Sequence, residues 1–217
     1  MKGRNTLFLV TVLLLALVTS GCAVGFYKGR PSDKVKINEL KDELSRLREA
    51  KLLLEKKLSK EIDANQVTVN MSDRGLVITF MAEVLFNSGK SKLSPEGMNM
   101  LNKVAKILKE EDINNDIGIE GHTDNVPIKH SGWKSNWELS TARSTSVLHY
   151  LLDRCALSPE KLSATGYGEY RPVVSNATAE GREKNRRVEI IIKPQKSAET
   201  ESAMAEPAKG ANAGYIK

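Results

Sequence analysis

Along residues 66–193 the spacing of apolar side chains switches back and forth between a two-residue and a three-to-four-residue period, so the chain has to build both strands and helices. Val67 to Met71 and Leu76 to Met81 flank Ser72-Asp73-Arg74-Gly75, a hairpin signal. Ser94-Pro95-Glu96 opens a helix to about Lys109, with proline in the favoured first turn. Ile117, Ile119 and Gly121 alternate with Gly118, Glu120 and His122 as a short strand. A helix free of internal Pro and Gly runs from near Asn136 to about Arg154, with Ser135 or Asn136 available to cap it. Ser158-Pro159 starts a short turn, Ser163 to Tyr167 is a strand, and Arg187 to Lys193 closes the sheet. This order of elements predicts an α+β domain.

The strand that ends at Gly121 delivers Thr123 and Asp124 into a loop, while Arg143 lies one turn from both Leu139 and Val147 on the helix's apolar stripe. An arginine there is either a snorkelling or ion-paired structural residue, or half of a receptor for a zwitterion. In the second reading Asp124 accepts an ammonium group and the planar fork of Arg143 grips a carboxylate by two parallel hydrogen bonds. The residues alone leave both readings open.

A run of motifs carries the comparison further: Leu85-Phe86 with Leu93-Ser94-Pro95, Gly121-His122-Thr123-Asp124, Asn136, and Leu139-Ser140-Thr141-Ala142-Arg143. Leu162-Ser163-Ala164, Gly166-Tyr167-Gly168-Glu169, Arg171-Pro172-Val173, Glu180-Gly181-Arg182 and Asn185-Arg186-Arg187-Val188-Glu189-Ile190 follow in order. Residues of about 80 to 193 thereby resemble the OmpA C-terminal-like domain, the peptidoglycan-binding module of outer-membrane proteins, peptidoglycan-associated lipoproteins and flagellar stator B subunits. The resemblance implies a mixed sheet with helices packed on one face. It also implies that Asp124 and Arg143 hold the D-centre of diaminopimelate in the stem peptide. Thr123 and Asn136 match polar positions lining that site, Leu139 an apolar wall, and Ser88 and Gly89 a segment offering backbone groups. Arg186 and Arg187 match the pair opening the last strand. Alternation sends them to opposite faces, and which one approaches the site stays open. The loop between Asp124 and Asn136, with Pro127, Gly132 and Trp133, is longer than in the peptidoglycan-associated lipoproteins. Trp133 and Trp137 are expected either to cover the core or to pack against a sugar or stem-peptide face.

The N-terminus points to the envelope. Lys2 and Arg4 precede an apolar run from Leu7 to Val18 and then Thr19-Ser20-Gly21-Cys22, the layout of a secretory signal (1–21) whose cut site resembles a lipobox. Cys22 would then be the lipidated first residue, followed by a linker to residue 33, and Ala23 in place of Asp points to the outer membrane. The competing reading is an uncleaved span, since no charge occurs between Arg4 and Lys28. With Cys22 carrying lipid, Cys155 has no partner for a disulfide. Between anchor and domain, Ile37, Leu40, Leu44, Leu47, Leu54 and Leu58 fall on an a/d heptad frame, predicting a coiled-coil stalk over 34–65 and self-association through residues 37–58. The alternative is an amphipathic helix lying on the domain. Beyond Pro194 the composition turns to Ala, Glu, Lys and Gly, expected to be a disordered tail (194–217).

A formal charge of +6 suits a polyanionic wall or anionic lipid surface and is too scattered for nucleic acid. The three histidines show no metal-ligand spacing, and no phosphate loop or nucleophile elbow is present, so no metal, cofactor or catalysis is expected. His122 and Asp124 could in principle serve as an acid/base pair in a wall hydrolase, but no second strong carboxylate constellation accompanies them. An ion-channel stator subunit would need an ionisable group between Leu7 and Phe26, where there is none. The sequence thus predicts a non-enzymatic tether from the outer membrane to diaminopimelate-type peptidoglycan. A stator-like wall anchor held in the inner membrane is the alternative.

Overall fold

A computed structural model describes residues 31–129 and 132–195. The expected secretion signal (1–21), Cys22 and the expected linker up to residue 30, His130 and the expected tail beyond residue 195 lie outside the described residues. Among the described residues, no helix is long and apolar enough to cross a membrane.

The chain divides between Lys41 and Asp42. Helix α1 (Pro31–Lys57) supplies both parts, and a short helix α2 (Ser59–Asp63) follows it. In the first part Val35, Ile37 and Leu40 are exposed. From Asp42 onward the apolar frame behaves differently. Leu44 is exposed, but Leu47, Ala50, Leu54 and Leu58, three or four residues apart on one helical face, are buried in the same core as the sheet. The expected helix is present, and the second half of its seam is covered by the domain, as in the alternative of a helix lying on it. Glu43 fastens this segment to the stretch just after the last strand: one carboxylate oxygen accepts from Asn115 Nδ2 at 2.6 Å and from the Gln195 backbone N–H at 2.7 Å.

Strands β1 (Val67–Ser72) and β2 (Gly75–Met81) form the hairpin, followed by a single helical turn α3 (Ala82–Leu85) and helix α4 (Pro95–Glu110), N-capped by Ser94. Strand β3 (Ile117–Gly121), helix α5 (Asn136–Asp153), strand β4 (Leu162–Gly166), helix α6 (Ala179–Asn185) and strand β5 (Arg187–Ile192) complete the order. The sheet runs β1-β2-β5-β3-β4, antiparallel except for the β3–β4 pair, which α5 connects. This is the mixed α+β architecture expected. The sequence pattern did not show α3 and α6, because four and seven residues are too few for a helical period to register.

Alternation gives the sheet two faces. Leu76, Ile78 and Phe80 pair with Ile192, Ile190 and Val188, and with Ile117 and Ile119 they meet α1, α4 and α5 in one core. Thr79, Glu120, Arg187 and Glu189 are on the other side. Two glycines set the distance of α5 from the strand ends. A Cβ on Gly121 would lie 2.2 Å from the Ser140 carbonyl oxygen, and one on Gly166 would lie 2.2 Å from Thr141 Oγ1. Only a residue without a side chain lets the first turns of α5 settle over the ends of β3 and β4.

Candidate functional site

Where β3 ends, the chain is held by its own polar groups. Thr123 Oγ1 donates to the Asp124 carbonyl at 2.9 Å, and the Val126 N–H donates to Asp124 Oδ1 at 3.0 Å. Asn136, at the start of α5 and buried, ties the loop across with its side-chain amide, donating to Glu169 Oε2 at 2.7 Å and to the carbonyls of Val126 and Asp124 at 3.2 and 3.3 Å. Thr123 and Asn136 therefore fix the position of the Asp124 carboxylate.

Two turns along α5, Arg143 is 5 % exposed. Its Nε donates to the Lys90 carbonyl at 3.0 Å and its guanidinium lies 5.2 Å from the centre of the Phe86 ring. Among the described residues it has no carboxylate partner within ion-pair distance. Burial, and then the neighbouring charge of Arg186, lower its pKa to about 10, with Glu83 and Asp124 acting in the opposite direction. It stays charged at neutral pH.

Asp124 and Arg143 face one cavity of about 690 Å³, a size that takes a small ligand. Thr123, Asn136, Leu139, Ser88 and Gly89 line it too, so seven of the residues singled out in the sequence share one recess. Arg186 is an eighth. Its Nη1 donates to Asp124 Oδ2 at 2.8 Å and its Nε to Glu83 Oε1 at 2.9 Å. Burial alone would lower its pKa, but the hydrogen bonds it donates to these two carboxylates, and their charges, raise it. Asp124 is thus already half neutralised, while the fork of Arg143 is available.

Arg187 is not brought to the site, because the alternation of β5 turns it to the opposite face of the sheet. There its Nε donates to Glu189 Oε1 at 2.7 Å, both side chains being 5 % exposed. Arg74 bridges Glu189 and Glu120, the latter at 2.9 Å. Burial alone would raise the Glu189 pKa; the hydrogen bonds and charges of Arg74 and Arg187 carry it below the ordinary value.

His122 belongs to this second cluster and does not line the cavity beside Asp124. It is 2 % exposed, stacks on Tyr167 at 5.3 Å, and neither ring nitrogen has a hydrogen-bond partner among the described residues. Burial, followed by the charge of Arg187, lowers its pKa to about 3, so the ring is neutral. Glu120, His122 and Glu189 lie close enough to hold a cation. Arg74 and Arg187 already neutralise the two carboxylates, so the cluster does not invite one.

Sequence reasoning missed Glu83, Lys90, Lys129 and Arg182, which also line the cavity. Glu83 reaches Arg186 across 103 residues of chain, a separation with no local sign. With Arg143 and Arg186, the last three give the rim five cations against the carboxylates of Glu83 and Asp124.

Comparison with known proteins gives concordant matches. The OmpA family profile matches residues 85–186. Motility protein B of Bacillus subtilis is 42% identical over 150 residues, 69% of this chain and 55% of that protein. The chain thus spans just over half the length of this relative. The outer-membrane lipoprotein YfiB of Pseudomonas aeruginosa is 32% identical over 137 residues, covering 60% of this chain and 78% of that one. Among solved structures, the cell wall anchor of the T6SS from Pseudomonas aeruginosa superposes with a TM-score of 0.59 at 32% identity, over 65% of this chain and 97% of that one.

Proposed function

The chain belongs to the OmpA family, and from that membership we propose that it binds peptidoglycan non-covalently and without catalysis, through the diaminopimelate of the stem peptide. Arg143 takes the carboxylate in a bidentate grip and Asp124 takes the ammonium group. Leu139 and Phe86 flank the aliphatic chain between them, and Ser88 and Gly89 contribute backbone groups at the rim. Thr123 and Asn136 act by holding the Asp124 loop. Arg186 shares Asp124 and keeps its carboxylate in place.

The observation that carries this reading is Arg143: a buried stem, a charged head, no carboxylate of its own among the described residues, and a cavity shared with Asp124. The excess of cations at the rim favours a ligand with more carboxylates than ammonium groups, as a stem peptide has. Calorimetric titration with the tripeptide L-alanyl-D-glutamyl-meso-diaminopimelate tests it. The wild-type chain binds, and Arg143→Ala and Asp124→Ala each weaken binding by about 10- to 100-fold, the cost of an unpaired charged group. Unchanged affinity in both variants removes the assignment. Unchanged turbidity of purified sacculi incubated with the chain accompanies it; clearing would mean hydrolysis.

We place the domain in the periplasm, tethered to the outer membrane through lipid on Cys22, a reading supported by the likeness to YfiB. The likeness to motility protein B favours instead an inner-membrane, stator-like anchor with an uncleaved N-terminal helix. Palmitate incorporation that Cys22→Ser abolishes supports the lipid anchor. A full-length, unlabelled chain in the inner membrane supports the other. Of the stretch 37–58 expected to self-associate, Leu47, Leu54 and Leu58 are taken up by the chain's own core, so self-association is proposed through the exposed Ile37, Leu40 and Leu44.

A further inference from the structure

Beside the cavity, and on the adjoining face of α5, lies a second groove of about 570 Å³ walled by Trp133, Trp137, Thr141, Thr145 and Ser146. The two recesses share the segment 88–91 as a partition: Ser88, Gly89 and Lys90 face the cavity, and Ser91 faces the groove. Trp133 is pinned to that partition, its Nε1 donating to the Gly89 carbonyl at 2.9 Å. Trp137 stacks on Tyr170 with ring centres 5.1 Å apart, yet the two remain 48% and 64% exposed. Leaving aromatic faces of this size in water is unfavourable by the ordinary hydrophobic measure, and their stacking fixes the indole in one orientation.

Among the described residues the lining combines flat apolar faces, small hydroxyls and a single charged side chain, Glu138. That chemistry fits a neutral pyranose, whose C–H face lies on an aromatic ring while its hydroxyls reach threonine and serine. Charge distinguishes the two recesses clearly: among the described residues, five cations surround the first and none lines the second. Distance agrees as well. The recesses are on two faces of one helix about 10 Å across. In peptidoglycan two residues and a lactyl group separate the sugar from diaminopimelate, a reach of about 10 Å at roughly 3.3–3.6 Å per residue.

We propose that the Trp133–Trp137 groove is a sugar subsite that holds the N-acetylated disaccharide bearing the stem peptide bound in the cavity. The proposal rests on the diaminopimelate reading of the cavity, and the test separates the two. The full chain is titrated with the tripeptide alone and with the same tripeptide on an N-acetylglucosaminyl-N-acetylmuramyl disaccharide. The disaccharide form binds about tenfold more tightly, a gain of about 1.4 kcal/mol. Trp137→Ala removes that gain and leaves the tripeptide's affinity unchanged, whereas Arg143→Ala weakens both ligands. Thr145→Arg, which obstructs the groove from a half-buried position, reproduces the Trp137→Ala result and guards against a folding effect. Equal affinity of the two ligands, or a gain that survives both groove variants, overturns the subsite and leaves the cavity reading intact. Binding of the disaccharide form alone, lost in Trp137→Ala, upholds the subsite and overturns the cavity reading. Failure of both ligands to bind overturns both.

Discussion

The role proposed for Arg143 depends on the shape of its head group as much as on its charge. Lysine at that position keeps the charge but loses the fork and the flat contact with Phe86, so Arg143→Lys is expected to bind the tripeptide about as weakly as Arg143→Ala. Recovery to wild-type affinity would reduce Arg143 to a point charge. The two arginines that open β5 make a second contrast. Arg187→Ala breaks a buried pair with Glu189 and is expected to cost about 3 kcal/mol in urea unfolding, while the folded protein keeps its affinity for the tripeptide. Loss of affinity without loss of stability would return Arg187 to the site. His122 adds a pH dependence whose sign follows from its lowered pKa. The unfolded ring takes up a proton below about pH 6.5 and the folded one only near 3, so stability is full above 6.5 and declines as pH falls between those values. Between pH 7.5 and 5 this amounts to about 2 kcal/mol, and His122→Gln flattens it. Glu189, with its lowered pKa, contributes stability present above the usual carboxylate range and lost only at lower pH, outside that interval. At this scale the resemblance in the sequence brought Asp124, Asn136, Leu139 and Arg143 together and helical phase put Leu139 and Arg143 on one face, as the cavity has them, although it left open which of Arg186 and Arg187 joins them. It did not show Glu83 or the occupation of Asp124 by Arg186, since contacts between distant segments leave no periodic trace.

Elements bring these residues together through the close seat of α5 on the sheet. Gly121→Ala places a methyl group 2.2 Å from a backbone oxygen that cannot swing aside, so α5 has to lift away. The expected cost is about 1–3 kcal/mol in unfolding free energy, together with weaker tripeptide binding, because Asn136 and Arg143 move with the helix. A variant of wild-type stability and affinity would show that the helix approach does not set the site. The main strands and long helices were legible because their periods run over five or more residues bounded by caps, as Ser94 and Ser135 show. α3 and α6 were not. The heptad frame of α1 was legible as a helix yet ambiguous in partner, since a leucine stripe fits a second copy or a sheet equally well. Leu47, Leu54 and Leu58 turn out to be buried in the same core as the sheet.

For the whole molecule, an OmpA-family unit proposed to bind the wall follows a helix whose first apolar positions stay exposed and an N-terminal segment read as an envelope anchor. A modest positive charge favours approach to an anionic wall, and it makes weak, salt-sensitive adsorption the effect from which specific binding has to be distinguished. Sacculi provide that distinction, since a wall whose third stem residue is lysine keeps the polymer and the ammonium group but lacks the carboxylate that Arg143 is assigned to hold. The measurement is co-sedimentation of the full chain with diaminopimelate-type and lysine-type sacculi at about 0.15 M salt, where the screening length is about 8 Å. Saturable binding to the first and little to the second is the predicted result, and equal binding to both would contradict the role given to Asp124 and Arg143.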